Sequence, residues 1–468
     1  MKKNTRNKYL LKNTLLLSLG NFGSKFLNFF LIPLYTNILT TAEYGTIDLI
    51  TIIGAVVVPV LTLNIQDAVL RFSLDKDCDN NKILNIAVIM IFFSSLIGLL
   101  CWPLLSNMFF TSHFAIYIVF YTLTFSTSHI LLCYIRGKEK LLDYSIISIV
   151  QTLLIALLNI YFLVFLRLGI NGYILSYIIG YIATIILCII RGNIIISINK
   201  FNFDKNLFKK MIKYSIFLIP NSLMWWVMNS LDKVMITSYL GVEFNGIYAV
   251  SYKIPTILNS IALIFNQAWM YSAIKEKDSI DKEIYTNKIY SSLFNIVITI
   301  AVFLLLILKP IMSIYVGKDF YSAWLYVPFL LIGTAFITLG SFISNEYTVH
   351  KDSMGHLKSS TIGAITNFIL NMILIPIIGI FGAAIATCIS YIIVYIYISI
   401  DTRKYLKIKI IDKIKITLLI ILLISTIVVY IENNISYLIN LVLFFMTLLF
   451  TRNIWINIIR NMIKKIKR

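Results

Sequence analysis

The stretch SSTIGAITNFILNMILIPIIGIFGAAIATCISYIIVYIYISI, residues 359–400, contains no Lys, Arg, Asp or Glu. A helix crossing the roughly 30 Å hydrocarbon core of a bilayer needs about 20 apolar residues. The run is long enough for two such helices, and the turn around Ile378-Gly379 divides it into spans near 359–377 and 380–400. That reading sets the solvent as lipid, and the rest of the chain is read on the same scale.

Working outward, 59% of the 468 residues are hydrophobic, 13% are charged and the mean hydropathy is +0.87. Soluble domains carry about 25% charged residues, so a soluble enzyme of this length lacks the polar surface it would need. Disorder is excluded by the same apolar content. Apolar runs recur near 12–38, 45–71, 83–105, 113–135, 142–166, 170–190, 214–240, 245–272, 286–308, 322–348, then 359–377 and 380–400, and finally 413–431 and 435–451. An all-α integral membrane protein of about 14 transmembrane helices is expected. About 14 spans leave connectors averaging roughly a dozen residues, too short for an extramembrane domain. The basic start leads into a first apolar run too long for a signal peptide, so no cleavable signal is expected.

Orientation follows from the basic residues, which stay cytoplasmic. With the N-terminus inside, 34 Lys and Arg fall on the cytoplasmic side and only Arg167, Lys309 and Lys318 on the other. Both termini are therefore expected to be cytoplasmic, and the net charge of +20 is a topology signal before it is a contact with anionic lipid or nucleic acid. The five cysteines lack metal or disulfide spacing and mostly fall in apolar runs, as packing residues do.

The chain also repeats itself. Sliding residues 18–71 by 201 positions matches Asn28 to Asn229, Thr36 to Thr237, Gly45 to Gly246 and Gln66 to Gln267. Gly169-Ile-Asn-Gly172 returns as Gly379-Ile-Phe-Gly382. Six spans separate the copies, which gives two parallel-related six-helix lobes around a central cavity: residues 1–200 and 201–400, with 401–468 as two additional spans and a basic tail. Paired lobes about an axis along the membrane normal are a transporter architecture.

Polar residues deep in spans carry the chemistry. Ser18, Asn21, Lys25 and Asn28 share one helix face at steps of three and four, and Lys25 lies about 20 Å from the start of its span, beyond the reach of a snorkelling side chain. Ser222, Trp225, Asn229 and Asp232 repeat that spacing, with Lys233 adjacent. Asp232 and Lys233 point apart on a helix, so separate partners are expected. Lys253, Ser260 and Gln267 fall at seven-residue steps with Pro255 beside them. A buried charge is costly in lipid and marks function unless it is paired structurally. Asp67 and Arg71 read more simply as an interfacial pair, and His129 and Glu346 as interhelical hydrogen-bonding groups. Asp48 can cap its span, and His350 and His356 are loop residues. No P-loop, G-x-S-x-G or H-E-x-x-H pattern occurs.

Gly20-Asn-Phe-Gly23, Ile32-Pro-Leu-Tyr-Thr-Asn-Ile-Leu39, Glu43-Tyr-Gly45, Ala68-Val-Leu-Arg71-Phe72 and Leu231-Asp-Lys-Val-Met-Ile-Thr-Ser-Tyr-Leu-Gly241 with Phe244-Asn-Gly-Ile-Tyr-Ala-Val-Ser-Tyr252 resemble the Wzx-type polysaccharide-unit flippases of the multidrug/oligosaccharidyl-lipid/polysaccharide exporter superfamily. The resemblance spans about residues 10–400. It implies movement of a polyprenyl-diphosphate-linked oligosaccharide from the inner to the outer leaflet of the cytoplasmic membrane, with cationic cavity residues at Lys25, Lys233 and Lys253 and Arg71 at the cytoplasmic mouth. Asn28, Asn229, Asp232 and Gln267 complete the candidate substrate-binding set. Implied partners are the lipid-linked glycan, membrane lipids, and a polysaccharide polymerase with its chain-length machinery; nucleic acid is not among them. No cofactor is expected, and coupling to H⁺ or Na⁺ is left open, as is the product (O-antigen of a lipopolysaccharide, capsule or teichoic type). The alternatives are a cation-coupled multidrug exporter, a peptidoglycan-precursor flippase and, last, a membrane polysaccharide polymerase.

Overall fold

The computed structural model describes residues 27, 29–75, 78–100, 103, 115–194, 203–275, 279–350, 352–431 and 433–466. Among them the fold is all-α, as expected. Eighteen helices follow in order: α1 (Phe29–Ile38), α2 (Thr41–Leu61), α3 (Ile65–Ser73), α4 (Asn80–Leu100), α5 (Ala115–Gly137), α6 (Leu141–Ile160), α7 (Gly169–Gly192), α8 (Lys205–Ile216), α9 (Ile219–Tyr239), α10 (Val242–Ser251), α11 (Lys253–Lys275), α12 (Lys282–Leu306), α13 (Leu308–Tyr315), α14 (Val327–Val349), α15 (Ser353–Ile378), α16 (Ile380–Asp401), α17 (Lys413–Val429) and α18 (Asn434–Ile466). Ten helical segments are long and apolar enough to cross a membrane. Each of the fourteen sequence spans overlaps a helix.

Three spans that read as continuous are broken. Span 2 divides into α2 and α3 at Leu63 and Asn64, both with positive φ (49° and 53°). Pro59 removes one ladder donor within α2, and Asn tolerates the left-handed conformation better than other residues with a side chain. Thr62 Oγ1 then donates to Gln66 Oε1 (3.0 Å) and Asn64 Nδ2 to Asp67 Oδ2 (2.7 Å), so the turn is closed by its own side chains. Span 7 divides into α8 and α9 just before Pro220, which takes the first turn of α9, where no backbone donor is needed. Span 8 divides at Tyr252, three residues before Pro255, whose missing N–H leaves the Ser251 carbonyl without its helical donor.

The chain forms two compact units, Met1–Trp226 and Val227–Arg468. The first has a core in which Ile65, Ala68 and Val69 of α3 pack with Ile83, Leu84 and Ile86 of α4 and Tyr134 and Ile135 of α5. At its α1/α2 corner Thr40 and Glu43 form a reciprocal capping box that starts α2. Trp226 Nε1 donates to the Ile52 carbonyl of α2 (2.8 Å).

In the second unit, Met235 and Ile236 of α9 and Tyr248 of α10 pack against Leu330 of α14, Ile375 of α15 and Ile380, Ala383 and Ala384 of α16. The last pair is fastened by Lys415 of α17, which is buried: its Nζ donates to the Lys409 carbonyl, lies 3.2 Å from Asp412 and sits 5.0 Å from the Tyr290 ring centroid. Ser425 of α17 donates to Asn440 of α18 (2.7 Å). A buried ion pair, Lys282–Glu346 at 2.8 Å, joins the start of α12 to the end of α14. Glu346 is thus a structural partner, in line with its reading from sequence.

Gly379, at φ +62°, makes the turn between α15 and α16, and three residues on the two helices meet backbone to backbone. A Cβ on Gly382 would lie 2.4 Å from the carbonyl carbon and oxygen of Leu374, whereas one on Gly340 of α14 would meet nothing closer than 3.5 Å. Gly382→Ala is expected to cost about 1–3 kcal/mol, and Gly340→Ala to be neutral or mildly stabilising through helix propensity. Thermal unfolding in detergent separates the two, and equal melting temperatures would contradict the packing described.

The turn before α15 generates a pH dependence. Asp352 accepts from Gly355 N (2.9 Å) and Tyr405 Oη (2.9 Å) and lies 3.1 Å from Lys404 Nζ. The Gly355 amide first, and then Tyr405 and Lys404, hold its carboxyl down at about 2. A depressed carboxylate stabilises the fold above its ordinary value near 4 and loses that contribution as pH falls toward 2. Over that acid window Asp352→Asn should lose less melting temperature than the wild type; parallel curves would refute the assignment.

Candidate functional site

Helix α9 is too polar to count among the strongly apolar spans, and its composition explains its position. Met228, Asp232, Met235 and Ile236, at steps of three and four, are buried on one face. Met228 packs close to Gly363 of α15, where a Cβ would lie 2.5 Å from the Met228 sulfur. Trp225, Asn229 and Lys233, at four-residue steps, form the more open face. The stripe read from sequence as Ser222, Trp225, Asn229 and Asp232 therefore divides. Asp232 turns into the core of the second unit, and Lys233 continues the face of Asn229.

Asp232 has no solvent exposure. Taking an ionised carboxylate out of water costs several kcal/mol unless the protein supplies replacement donors. Here Oδ2 accepts from Tyr248 Oη (2.7 Å), Tyr252 Oη (2.8 Å) and Thr387 Oγ1 (3.2 Å), and Oδ1 accepts from the Lys233 amide (2.9 Å). Bonds to a charged acceptor contribute about 1.5–3 kcal/mol each, enough together to offset the burial. The network continues: Asn367 Nδ2 donates to Thr387 Oγ1 (3.3 Å) and Asn371 Nδ2 to Asn367 Oδ1 (2.9 Å), all buried. Helices α9, α10 and α16 and the α10/α11 turn thus meet on one carboxylate, and α15 joins through Thr387. Tyr252 serves both charges, since its hydroxyl binds Asp232 while Lys233 Nζ stands 5.5 Å from its ring centroid. The separate partners expected for the two residues share this one side chain.

The other nominated residues divide as follows. Asn229 Oδ1 accepts from Tyr391 Oη of α16 (2.8 Å), which brings it beside the same cluster. Lys253 is the first residue of α11, not a position inside a continuous helix, because the chain breaks at Tyr252 ahead of Pro255. Arg71 lies exposed in the last turn of α3 and Asp67 in its first, with Asp67 held by Asn64. Lys25 and Asn28 lie outside the described residues. Gln267 is on α11, and its side chain is likewise outside what is described. His129 is exposed on α5 with its ring 5.9 Å from that of Phe125.

Sequence reading missed Tyr248, Tyr252, Thr387, Asn367, Asn371 and Tyr391 as site residues. Two signals were available: Tyr248 and Tyr252, like Asn367 and Asn371, are four residues apart, and the asparagines interrupt an apolar run. Among the described residues no group of three or more His, Cys, Asp or Glu gathers as a metal would require.

Comparison with known proteins bears on this geometry. Residues 10–271, more than half of the chain, match the family model described as polysaccharide biosynthesis protein. The chain is 28% identical over 189 residues to the probable low-salt glycan biosynthesis flippase Agl15 of Haloferax volcanii, a match covering 39% of each protein. It therefore spans about two fifths of that curated relative. Among solved structures, lipid II flippase MurJ in an inward closed conformation aligns with a TM-score of 0.70 at 17% identity, over 95% of this chain and 99% of that one. An inward-facing multidrug resistance MATE transporter of the MOP superfamily aligns with a TM-score of 0.61 at 12% identity, over 83% and 94%. At such identities the likeness is one of fold, and it extends over nearly the whole chain. With an all-α membrane fold of the MOP type and a family match over most of its first 271 residues, the chain belongs to the polysaccharide biosynthesis protein family.

Proposed function

We propose that the protein is a flippase that carries a polyprenyl-diphosphate-linked oligosaccharide from the inner to the outer leaflet of the cytoplasmic membrane by alternating access, with both termini cytoplasmic. The observation that carries this reading is the concentration of Asn229, Asp232, Lys233 and Lys253 on α9 and α11, two helices that the sequence reads as membrane spans. A diphosphate brings about two negative charges that cannot cross roughly 30 Å of hydrocarbon unaided. Ammonium groups on such helices compensate it, and the amide of Asn229 and nearby tyrosine hydroxyls suit sugar hydroxyls. The naming of Agl15 as a glycan biosynthesis flippase and of MurJ as a lipid II flippase supports transport of a lipid-linked glycan over an enzymatic role.

The polysaccharide unit is favoured over a drug by charge. The more open face of α9 carries Lys233, while its carboxylate, Asp232, is turned inward and engaged by hydroxyls. A polymerase and its chain-length machinery would take the product on the outer side.

In membrane vesicles supplied with lipid-linked glycan, Lys25→Ala and Lys253→Ala should each lower transport by about tenfold or more, the loss of a charge-assisted contact to phosphate. Wild-type rates in both variants at matched protein levels would sink the charge-compensation reading. Deletion should leave glycan-bearing lipid on the inner leaflet with cell-wall synthesis intact; arrested cell-wall synthesis would instead indicate a peptidoglycan precursor, and efflux of lipophilic cations a drug exporter.

Asp232 is the group we assign to coupling with H⁺ or Na⁺, because binding a cation there changes the charge on which α10 and α16 converge. Asp232→Asn keeps an oxygen acceptor for the hydroxyls, so the protein should still insert. Its residual transport should no longer respond to Na⁺ or to pH across the neutral range. A variant as responsive as the wild type would show that coupling lies elsewhere.

A further inference from the structure

Only three basic residues are assigned to the outer side, and one of them, Lys309, is built into a cavity. The cavity has a volume of about 460 Å³ and lies where α13, the short 3₁₀ helix Lys318–Leu325 and the α17/α18 turn meet. Its size falls within the range of small-ligand sites. Lys309, Tyr321, Trp324, Asn433, Ser436 and Tyr437 line it. Lys309 Nζ stands 4.4 Å from the Trp324 ring centroid, a cation–π contact that steadies the ammonium without using its N–H donors.

The walls are fixed from behind. Trp324 is buried, and its ring lies 5.8 Å from that of Tyr430, whose hydroxyl donates to the Leu325 carbonyl. Ser436 donates to the Asn433 carbonyl (2.7 Å), which sets the turn and leaves the Asn433 amide exposed at the rim. Among the described residues the lining groups are thus one ammonium, one carboxamide and three hydroxyls, of which that of Ser436 already donates to Asn433. Such a set is rich in donors and matches an oxyanion. Glu432, between Ile431 and Asn433 in the chain, lies outside the described residues.

A lone interfacial lysine beside aromatic rings is an ordinary membrane anchor. An anchor, however, needs no cavity and no convergent amide and hydroxyls. We propose that this cavity binds a phosphate group at the outer headgroup level through Lys309, Asn433 and the tyrosine hydroxyls. The phosphate can belong to an anionic phospholipid or to a prenyl diphosphate arriving in the outer leaflet. The binding itself is independent of the transport reading; only the second source rests on it.

The full chain is purified in detergent and exposed to phosphatidylglycerol, phosphatidylcholine or sugar-free polyprenyl diphosphate, with retained lipid read by native mass spectrometry. Phosphatidylglycerol should be held about tenfold more tightly by the wild type than by Lys309→Gln, the loss of one charge-assisted contact, while phosphatidylcholine discriminates less. Tyr437→Phe should weaken retention to a smaller degree and serves as a second variant should Lys309→Gln fail to fold. Displacement of phosphatidylglycerol by polyprenyl diphosphate at the same site supports the carrier as the source; retention without displacement supports the phospholipid. Equal retention of both anionic lipids by wild type, Lys309→Gln and Tyr437→Phe overturns the proposal. Transport is not measured, so this failure is separate from failure of the flippase reading.

Discussion

A carboxylate at bilayer depth must find every one of its partners inside the protein, and Asp232 imposes that demand on the second unit. Its three hydroxyl donors come from α10, the α10/α11 turn and α16, and the asparagines that extend the network come from α15. Those helices cannot drift apart without leaving an unpaired charge, which is more costly than any single packing defect. The close α15/α16 turn at Gly379 and the small residues Ala383, Ala384 and Gly363 let the backbones approach closely enough for short side chains such as Thr387 to reach the carboxylate. Polar satisfaction and tight packing are therefore one requirement met by the same residues.

Much of the fold was legible because lipid is a simple solvent. Length, apolarity and the sorting of basic residues suffice to place helices along the chain, and each of the fourteen runs overlaps a helix within the described residues. The interruptions were not legible in the same way. Pro220 and Pro255 were visible, but a proline can bend a helix or end it, and the outcome depends on what covers the freed carbonyl. The turn at Leu63 and Asn64 carries no such marker beyond Pro59, and its closure by Gln66 and Asp67 is a matter of side-chain geometry.

The site was half legible for a related reason. Spacing identified Asn229, Asp232 and Lys233 as sharing a helix, but periodicity alone gives a stripe and not its neighbours. Asp232 and Asn229 are three residues apart, and one is fully buried while the other is exposed, tied to the core only at Tyr391. The partners that decide this lie far off in sequence: Tyr248 is 16 residues from Asp232, and Thr387 is 155. A tyrosine or threonine in a span is unremarkable until a charge is found at its hydroxyl.

The break in span 8 joins these strands of argument. The joint is Tyr252, between α10 and α11, where the backbone keeps near-helical angles (φ −69°, ψ −17°) and the helical donor that Pro255 lacks is missing. The same residue binds Asp232 by its hydroxyl and lies under Lys233 by its ring. Asp232 is therefore bonded to the joint from which α11, with Lys253 at its head, departs. Lys253 thus heads a helix of its own, and the buried carboxylate of the preceding hairpin is tied to the residue just before it.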